Sequence, residues 1–195
     1  PNYDRWWKER NARNALFNIK PAMLWVGGLF DAEDLWGAWN TYKATAVQSP
    51  QTNNKIVMGP WSHGQWGSDD GGSLGYIRFG ANTARWFQEN MEIPVFNYYL
   101  KGKGSVDAIA KANIFYTGEN NWKKFDQWPP ANIEKRELYI GFDGKLSFAK
   151  DPRPQRLTGR GSNGMGYSEY VSDPAHPVPY TEDVHERRTR EYMTD

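Results

Sequence analysis

Apolar positions along the 195-residue chain change texture about halfway. In the first part, short apolar runs of strand length alternate with longer stretches of helical period. Tyr3, Trp6, Trp7 and Arg10 recur at spacings of three and four, which predicts a helix over 2–18. Pro21 then leads into Ala22–Val26, a strand-like run that turns at Gly27-Gly28. A helix follows over 33–47, with Leu35, Trp36, Trp39, Tyr42 and Ala46 on one side, and the polar cluster 48–54 stops it. A second apolar run, 55–59, closes into Gly59-Pro60-Trp61-Ser62-His63-Gly64. Residues 64–75 are rich in Gly, Ser and Asp and read as a surface loop or flap. Asn82 is placed to cap a helix to about Met91, and Pro94 suits the first turn of its continuation to Leu100.

Beyond Lys101-Gly102-Lys103-Gly104-Ser105 the pattern shifts to short strands at 113–116, 137–140 and 167–171. Gly118-Glu119-Asn120-Asn121, Phe142-Asp143-Gly144 and Asp151-Pro152 punctuate them as turns. This spacing predicts an all-β sandwich for the second half. The tail over 172–190 is rich in Pro and charge and reads as a surface wrap, and no internal repeat is visible. The fold class expected is therefore α/β followed by all-β.

Asp31 and His63 stand 32 residues apart, the length of one strand–helix–strand unit. Parallel strands joined by such a crossover deliver both residues to the same, carboxyl, edge of the sheet. A carboxylate can there fix the tautomer of an imidazole and stabilise its cation, as a general base requires. A distance of about 2.6–3.2 Å between a carboxylate oxygen of Asp31 and a ring nitrogen of His63 is expected, or somewhat more in an empty site.

Composition narrows the field of functions. Hydrophobic content is 38% but aromatic content is 15%, with ten Trp, so burial rests on a few large side chains. The net charge of +1 points to no nucleic-acid partner. The absence of Cys excludes disulfides and thiolate metal sites. No apolar run reaches membrane-spanning length, so no membrane partner is expected.

Acid before base is the chain order of an α/β-hydrolase, whose nucleophilic serine precedes both on a G-x-S-x-G elbow. Neither Ser62 nor Ser68 has the flanking glycines, so the nucleophile is expected upstream of Pro1, and the chain reads as part of something larger. Glu33 and Asp34 have two readings: acids favoured by the dipole of a helix start, or partners for a substrate's cation. A metal held by Asp31, Glu33, Asp34 and His63 is disfavoured, since no second His stands nearby. Asp69-Asp70-Gly71-Gly72 lacks the alternation of a calcium loop. The glycines over 159–166 lack the context of a phosphate cradle. His176 and His185 read as solvated, and Trp122 and Trp128 as β-domain core.

Four ordered segments carry a family resemblance. Leu24-Trp25-Val26-Gly27-Gly28-Leu29-Phe30-Asp31 resembles the acid segment of the cocaine-esterase and X-prolyl dipeptidyl peptidase family of serine hydrolases, and Met58-Gly59-Pro60-Trp61-Ser62-His63 is similar to its histidine motif. Tyr98–Gly102 resembles the end of its catalytic domain. Thr117–Trp122 with Trp128-Pro129-Pro130 resembles the opening of its C-terminal β-domain. Within the family, Asp31-Ala32-Glu33-Asp34 is most similar to the α-amino-acid ester hydrolases, with Ala32 where a longer polar residue is usual. The resemblance implies that Asp31 and His63 are catalytic and that Glu33 and Asp34 bind a substrate ammonium. It further implies that 1–108 is the C-terminal part of a hydrolase domain, beginning at the return from a helical cap, and that 109–195 begins a jelly-roll sandwich.

The expected function is part of a serine hydrolase cleaving esters or amides by acyl transfer, on α-amino acyl esters or β-lactam-type amides, with no cofactor. X-prolyl dipeptidyl peptidase activity is the alternative within the family. A non-catalytic carbohydrate- or protein-binding module, or a hydrolase that has lost its serine, is the rival outside it. The partners expected are a small ester, amide or short peptide, the missing N-terminal half, and a further copy as a homo-oligomer. The family implies a periplasmic or secreted location. The 195 residues alone are expected to be inactive, because nucleophile and oxyanion hole lie elsewhere.

Overall fold

The computed structural model describes residues 2–140, 145–150 and 171–177. The turns at 142–144 and 151–152, the glycines at 159–166, His185 and all but Val171 of the strand expected at 167–171 lie outside these residues. Contacts divide the chain into two units, with the change after Ala131.

The first unit is built on a sheet of order β1 (Met23–Gly28), β2 (Asn54–Gly59), β5 (Ala112–Tyr116), β6 (Asn121–Phe125). Met23–Gly28 forms β1 and Asn54–Gly59 forms β2, paired in parallel with Gly28 opposite Gly59. Between them runs α2, Leu35–Gln48. Side chains alternate along the strands, and both faces are covered. Ile56 and Met58 pack with Tyr42, Ala38 and Trp39 on the α2 side, while Val57 points to the opposite cluster of Trp61, Ala84, Phe87 and Met91. Gly27 permits this closeness, since a Cβ there would lie 2.9 Å from that of Ala38.

The helix over 2–18 gives way to two short pieces: α1 at Arg5–Glu9, capped by Asp4, and a 3₁₀ turn at Ala12–Ala15, capped by Asn11. Two caps so close together start two turns and sustain neither. On α2, Ala38 and Thr45 face inward, whereas Trp36 and Ala46 are exposed. The stretch 64–75 is anchored rather than a free flap. It holds the short helix α3 (Gln65–Ser68) and the strand β3 (Ser73–Leu74), which pairs with β4 (Ile77–Arg78); Gln65, Gly71 and Leu74 are buried. The helix from Asn82 is a continuous run of three parts: α4 at Thr83–Phe87, a π turn at Gln88–Glu92 and α5 at Ile93–Lys101. Asn82 stands at its N-cap without a side-chain capping bond, and Gly102 ends it in the left-handed region.

The largest difference from expectation concerns Ala112–Tyr116, which is β5. It pairs in parallel with β2, and β6 (Asn121–Phe125) pairs antiparallel with β5. Both extend the sheet that carries Asp31 and His63 instead of starting a separate sandwich after residue 108. Trp122 is accordingly core of this unit, 4.8 Å from Trp86 and 5.7 Å from Trp61, and Trp128 stacks 5.3 Å from Trp39.

In the second unit, β7 (Tyr139–Ile140) pairs antiparallel with β8 (Leu146–Ser147). His176 is exposed and bonded to Asp173 at 2.9 Å. Among the described residues no helix is long and apolar enough to cross a membrane.

Candidate active site

The parallel register of β1 and β2 brings two loops out of one sheet edge, and the backbone stitches them together past the strands. Leu29 N–H donates to Gly59 O at 2.8 Å and Phe30 N–H to Trp61 O at 3.0 Å. Gly28 is required at this crossing, because a Cβ would sit 2.1 Å from Trp61 O.

Asp31 closes the first loop on itself. It is 7% exposed. One carboxylate oxygen, Oδ1, accepts the backbone N–H groups of Glu33 at 2.8 Å and Asp34 at 3.0 Å. The other, Oδ2, lies 3.0 Å from His63 Nδ1. Burial pushes the Asp31 carboxyl up, but the N–H groups of Asp34 and Glu33 together with His63 outweigh it and hold the group below its ordinary value. An ionised carboxylate only accepts hydrogen bonds, so His63 carries a proton on Nδ1 and Nε2 is the ring nitrogen outside this bond.

His63 projects from the second loop with its side chain 54% exposed. Its pKa is raised, first by the hydrogen bond to Asp31 and then by that carboxylate's charge, with burial opposing and the charges of Glu33 and Asp34 adding to the rise. The ring is carried by a buried framework. Trp61 is fully buried, and its Nε1–H donates to Thr83 Oγ1 at 2.8 Å, which in turn donates to Gly71 O at 2.7 Å. Gln65 Oε1 accepts Ser62 N–H at 3.1 Å, and Gln65 Nε2 donates to Ser73 O at 2.8 Å. Gly64, at φ +72°, turns the chain into α3 directly after His63.

The two further acids differ in placement. Glu33 Oε2 lies 3.9 Å from His63 Nε2. Asp34 stands at the N-cap of α2 without a capping bond; its carboxylate lies over Gly37, where a Cβ would fall 1.8 Å from Oδ1. Beside this turn opens a groove of about 690 Å³ whose lining includes Glu33, Trp36, Trp39, Lys43 and Trp128.

The structure thus gathers Asp31, Glu33 and His63. Ser62 is 2% exposed and its hydroxyl lies 3.3 Å from Gln65 Oε1, and among the described residues no serine hydroxyl is bonded to His63. The support from Thr83 and Gln65 was not readable in the sequence, since both act across turns that carry no periodic signal. The glycines at 28 and 59 were its only trace, each leaving room for Trp61.

The chain is similar to known hydrolases. Residues 1–65 match the X-Pro dipeptidyl-peptidase (S15) family. The chain is 24% identical over 190 residues to cocaine esterase of Rhodococcus sp. (strain MB1 Bresler), covering 92% of this chain and 30% of that protein. Among solved structures it resembles an aminopeptidase from the marine sediment archaeon Thaumarchaeota archaeon, with a TM-score of 0.78 and 36% identity over 98% of this chain and 30% of the other. An α-amino acid ester hydrolase gives a TM-score of 0.74 and 36% identity over 91% of this chain and 29% of the other. These relatives are hydrolases of α/β type, and the chain spans about 30% of their length. By sequence and by fold, the chain is similar to hydrolases of the cocaine-esterase and X-prolyl dipeptidyl peptidase family.

Proposed function

We propose that this chain supplies the acid and the base of a serine hydrolase that acts on esters or amides of α-amino acids, β-lactam-type amides among them. The observation that carries the reading is the Asp31–His63 bond at adjacent strand ends, with Nε2 left open and Glu33 beside it. A serine from a segment outside these residues attacks the carbonyl, and His63 Nε2 takes its proton and returns it to the leaving group. Asp31 keeps the imidazole in the competent tautomer and stabilises its cation. The one G-x-S-x-G run in the sequence, Gly71–Gly75, puts Ser73 in the two-residue strand β3 of a hairpin rather than on a strand-to-helix elbow, and the burial of Ser62 argues against it as a local substitute. The residues after Ala131 are read as the beginning of a jelly-roll sandwich.

The acyl preference rests on Glu33 and Asp34. A cationic ammonium beside the scissile carbonyl is costly to desolvate without a partner, and these two carboxylates stand next to the base. The names of the two structural relatives, an aminopeptidase and an α-amino acid ester hydrolase, both specify substrates with an α-amine. The family match over residues 1–65 favours dipeptide release as a second reading, in which the same acids hold a peptide's N-terminus.

The test uses the full-length protein with Glu33→Gln and Asp34→Asn, on the alkaline plateau of the pH profile. Each change is expected to raise KM for α-amino esters and to leave des-amino esters nearly unaffected. A charge pair closed off from water by the substrate would lose about 2–5 kcal/mol; Glu33 is more than half exposed in the empty site, and a pair left at the rim would lose far less. Equal losses on both substrates mean that the acids serve the helix start instead. Turnover that survives His63→Ala removes His63 as the base, and full-length protein without esterase or amidase turnover removes the hydrolytic reading.

A further inference from the structure

Glu33 faces the one ring nitrogen that a general base must keep free. Its carboxylate lies 3.9 Å from His63 Nε2, too far for a hydrogen bond but within ion-pair reach. Nδ1, the other ring nitrogen, is taken by Asp31. Among the described residues, the charged groups that act on His63 are Asp31, Glu33 and Asp34, all carboxylates of the turn between β1 and α2. From α3 the ring meets Trp66, with centroids 6.4 Å apart, which is uncharged. Three acids around an imidazole favour its protonated form. A ring protonated at Nε2 cannot accept a proton from a nucleophile.

We propose that Glu33 serves two cations in turn, the His63 imidazolium in the empty site and the substrate's α-ammonium in the loaded one, so that binding of an α-amino substrate releases the Nε2 proton and readies the base. The proposal rests on the assignment of His63 as base and Glu33 as ammonium partner given above. The proton balance is simple: the ammonium takes up the carboxylate, the imidazolium gives its Nε2 proton to solvent, and no covalent bond of the substrate changes. Like charges then stand a few ångströms apart if the ring stays protonated, which is the force that drives the proton off. Linkage makes the effect reciprocal: ammonium affinity must rise with pH through the titration of His63. The device confines an active base to sites that hold the correct substrate class.

The experiment follows His63 in full-length protein carrying ¹³C-labelled histidine, with the resonance assigned by its loss in His63→Ala. The ligands are leucinol, which has the ammonium but no scissile carbonyl, and the same alcohol without its amine. Saturating leucinol is expected to move the His63 midpoint to lower pH, and the des-amino alcohol to leave it in place. Glu33→Gln is expected to lower the midpoint of the ligand-free protein and to weaken leucinol binding. For an α-amino ester, the acid limb of kcat is expected at lower pH than that of kcat/KM, and for a des-amino ester the limbs coincide. A midpoint that ignores leucinol or Glu33→Gln, or an absence of leucinol binding at millimolar concentration, overturns the proposal. Hydrolysis with an intact α-amino preference but an unmoved midpoint removes the cation exchange and leaves the hydrolase reading standing. Midpoints that move as described in a protein without esterase or amidase turnover remove the hydrolase reading instead.

Discussion

The loops after β1 and β2 leave the same sheet edge and solve one positioning problem in opposite ways. The acid loop is held from within: Asp31 is buried, binds the N–H groups of its own turn and needs no distant partner for that. The base loop is held from outside, by Trp61 in the core and by Thr83, Gln65 and Ser73 around it, while the His63 ring is hydrogen-bonded to Asp31. The difference follows from the chemistry each residue is proposed to do. A carboxylate that only orients and stabilises can be sealed off. A base must exchange protons with nucleophile and leaving group, so its ring stays open and its precision comes from neighbours.

The largest effect expected from breaking this comparison is at Asp31. Asp31→Asn in the full-length protein should lower kcat by about 10⁴-fold, the scale seen when an amide leaves a triad imidazole in the wrong tautomer. Its carbonyl can still accept from Glu33 and Asp34, so hydrogen exchange at those two amides should stay slow. Asp31→Ala should lose both activity and amide protection. Unchanged exchange in the alanine variant would show that the acid loop does not hold itself.

Next comes the core under the base loop. Trp61→Ala should destabilise the hydrolase domain by about 3–5 kcal/mol in denaturant unfolding, because a fully buried indole is removed from among Phe87, Trp66 and Trp122. A cost below 1 kcal/mol would mean that the loop is supported elsewhere. The smallest effect is expected at Gln65. Gln65→Leu leaves Ser62 N–H and Ser73 C=O without their partner, at about 1–3 kcal/mol. It should lower kcat far less than Asp31→Asn, with KM nearly constant. A kcat loss matching that of Asp31→Asn would make Gln65 part of the chemistry rather than of its support.

What the sequence disclosed, and what it withheld, divides along the same line. β1, α2 and β2 were legible because each is a local pattern with its own punctuation, and the 32-residue interval then placed Asp31 beside His63. Residues 112–116 were legible as a strand but not as a neighbour of β2, since strand pairing is a long-range choice that a five-residue run does not encode. The failed helix over 2–18 is of this kind too. Its end is tied to the end of α2, with Leu16 N–H donating to Gln48 Oε1 at 3.1 Å and Ile19 N–H to Ser49 Oγ at 3.0 Å. Those distant partners replace the local ladder that the periodicity had promised. Trp36 misled for another reason: an aromatic on a helix need not face the sheet when Arg13 can cover its ring, 4.2 Å from the centroid.

The closed turn from Asp31 to Asp34 also constrains how such a protein can diverge. Because one carboxylate bonds both the imidazole and the second and third residues after it, an insertion or deletion between positions 31 and 34 would uncouple the two functions at once. Lengthening the acid to Glu would shift one of its two sets of bonds. Recombination or grafting must therefore move these four positions as a block together with Gly37, which leaves Asp34 its space. The tip of the β3–β4 hairpin at Gly75-Tyr76, by contrast, lies outside the Gln65–Ser73 tie and is the place where length variation between related chains should accumulate.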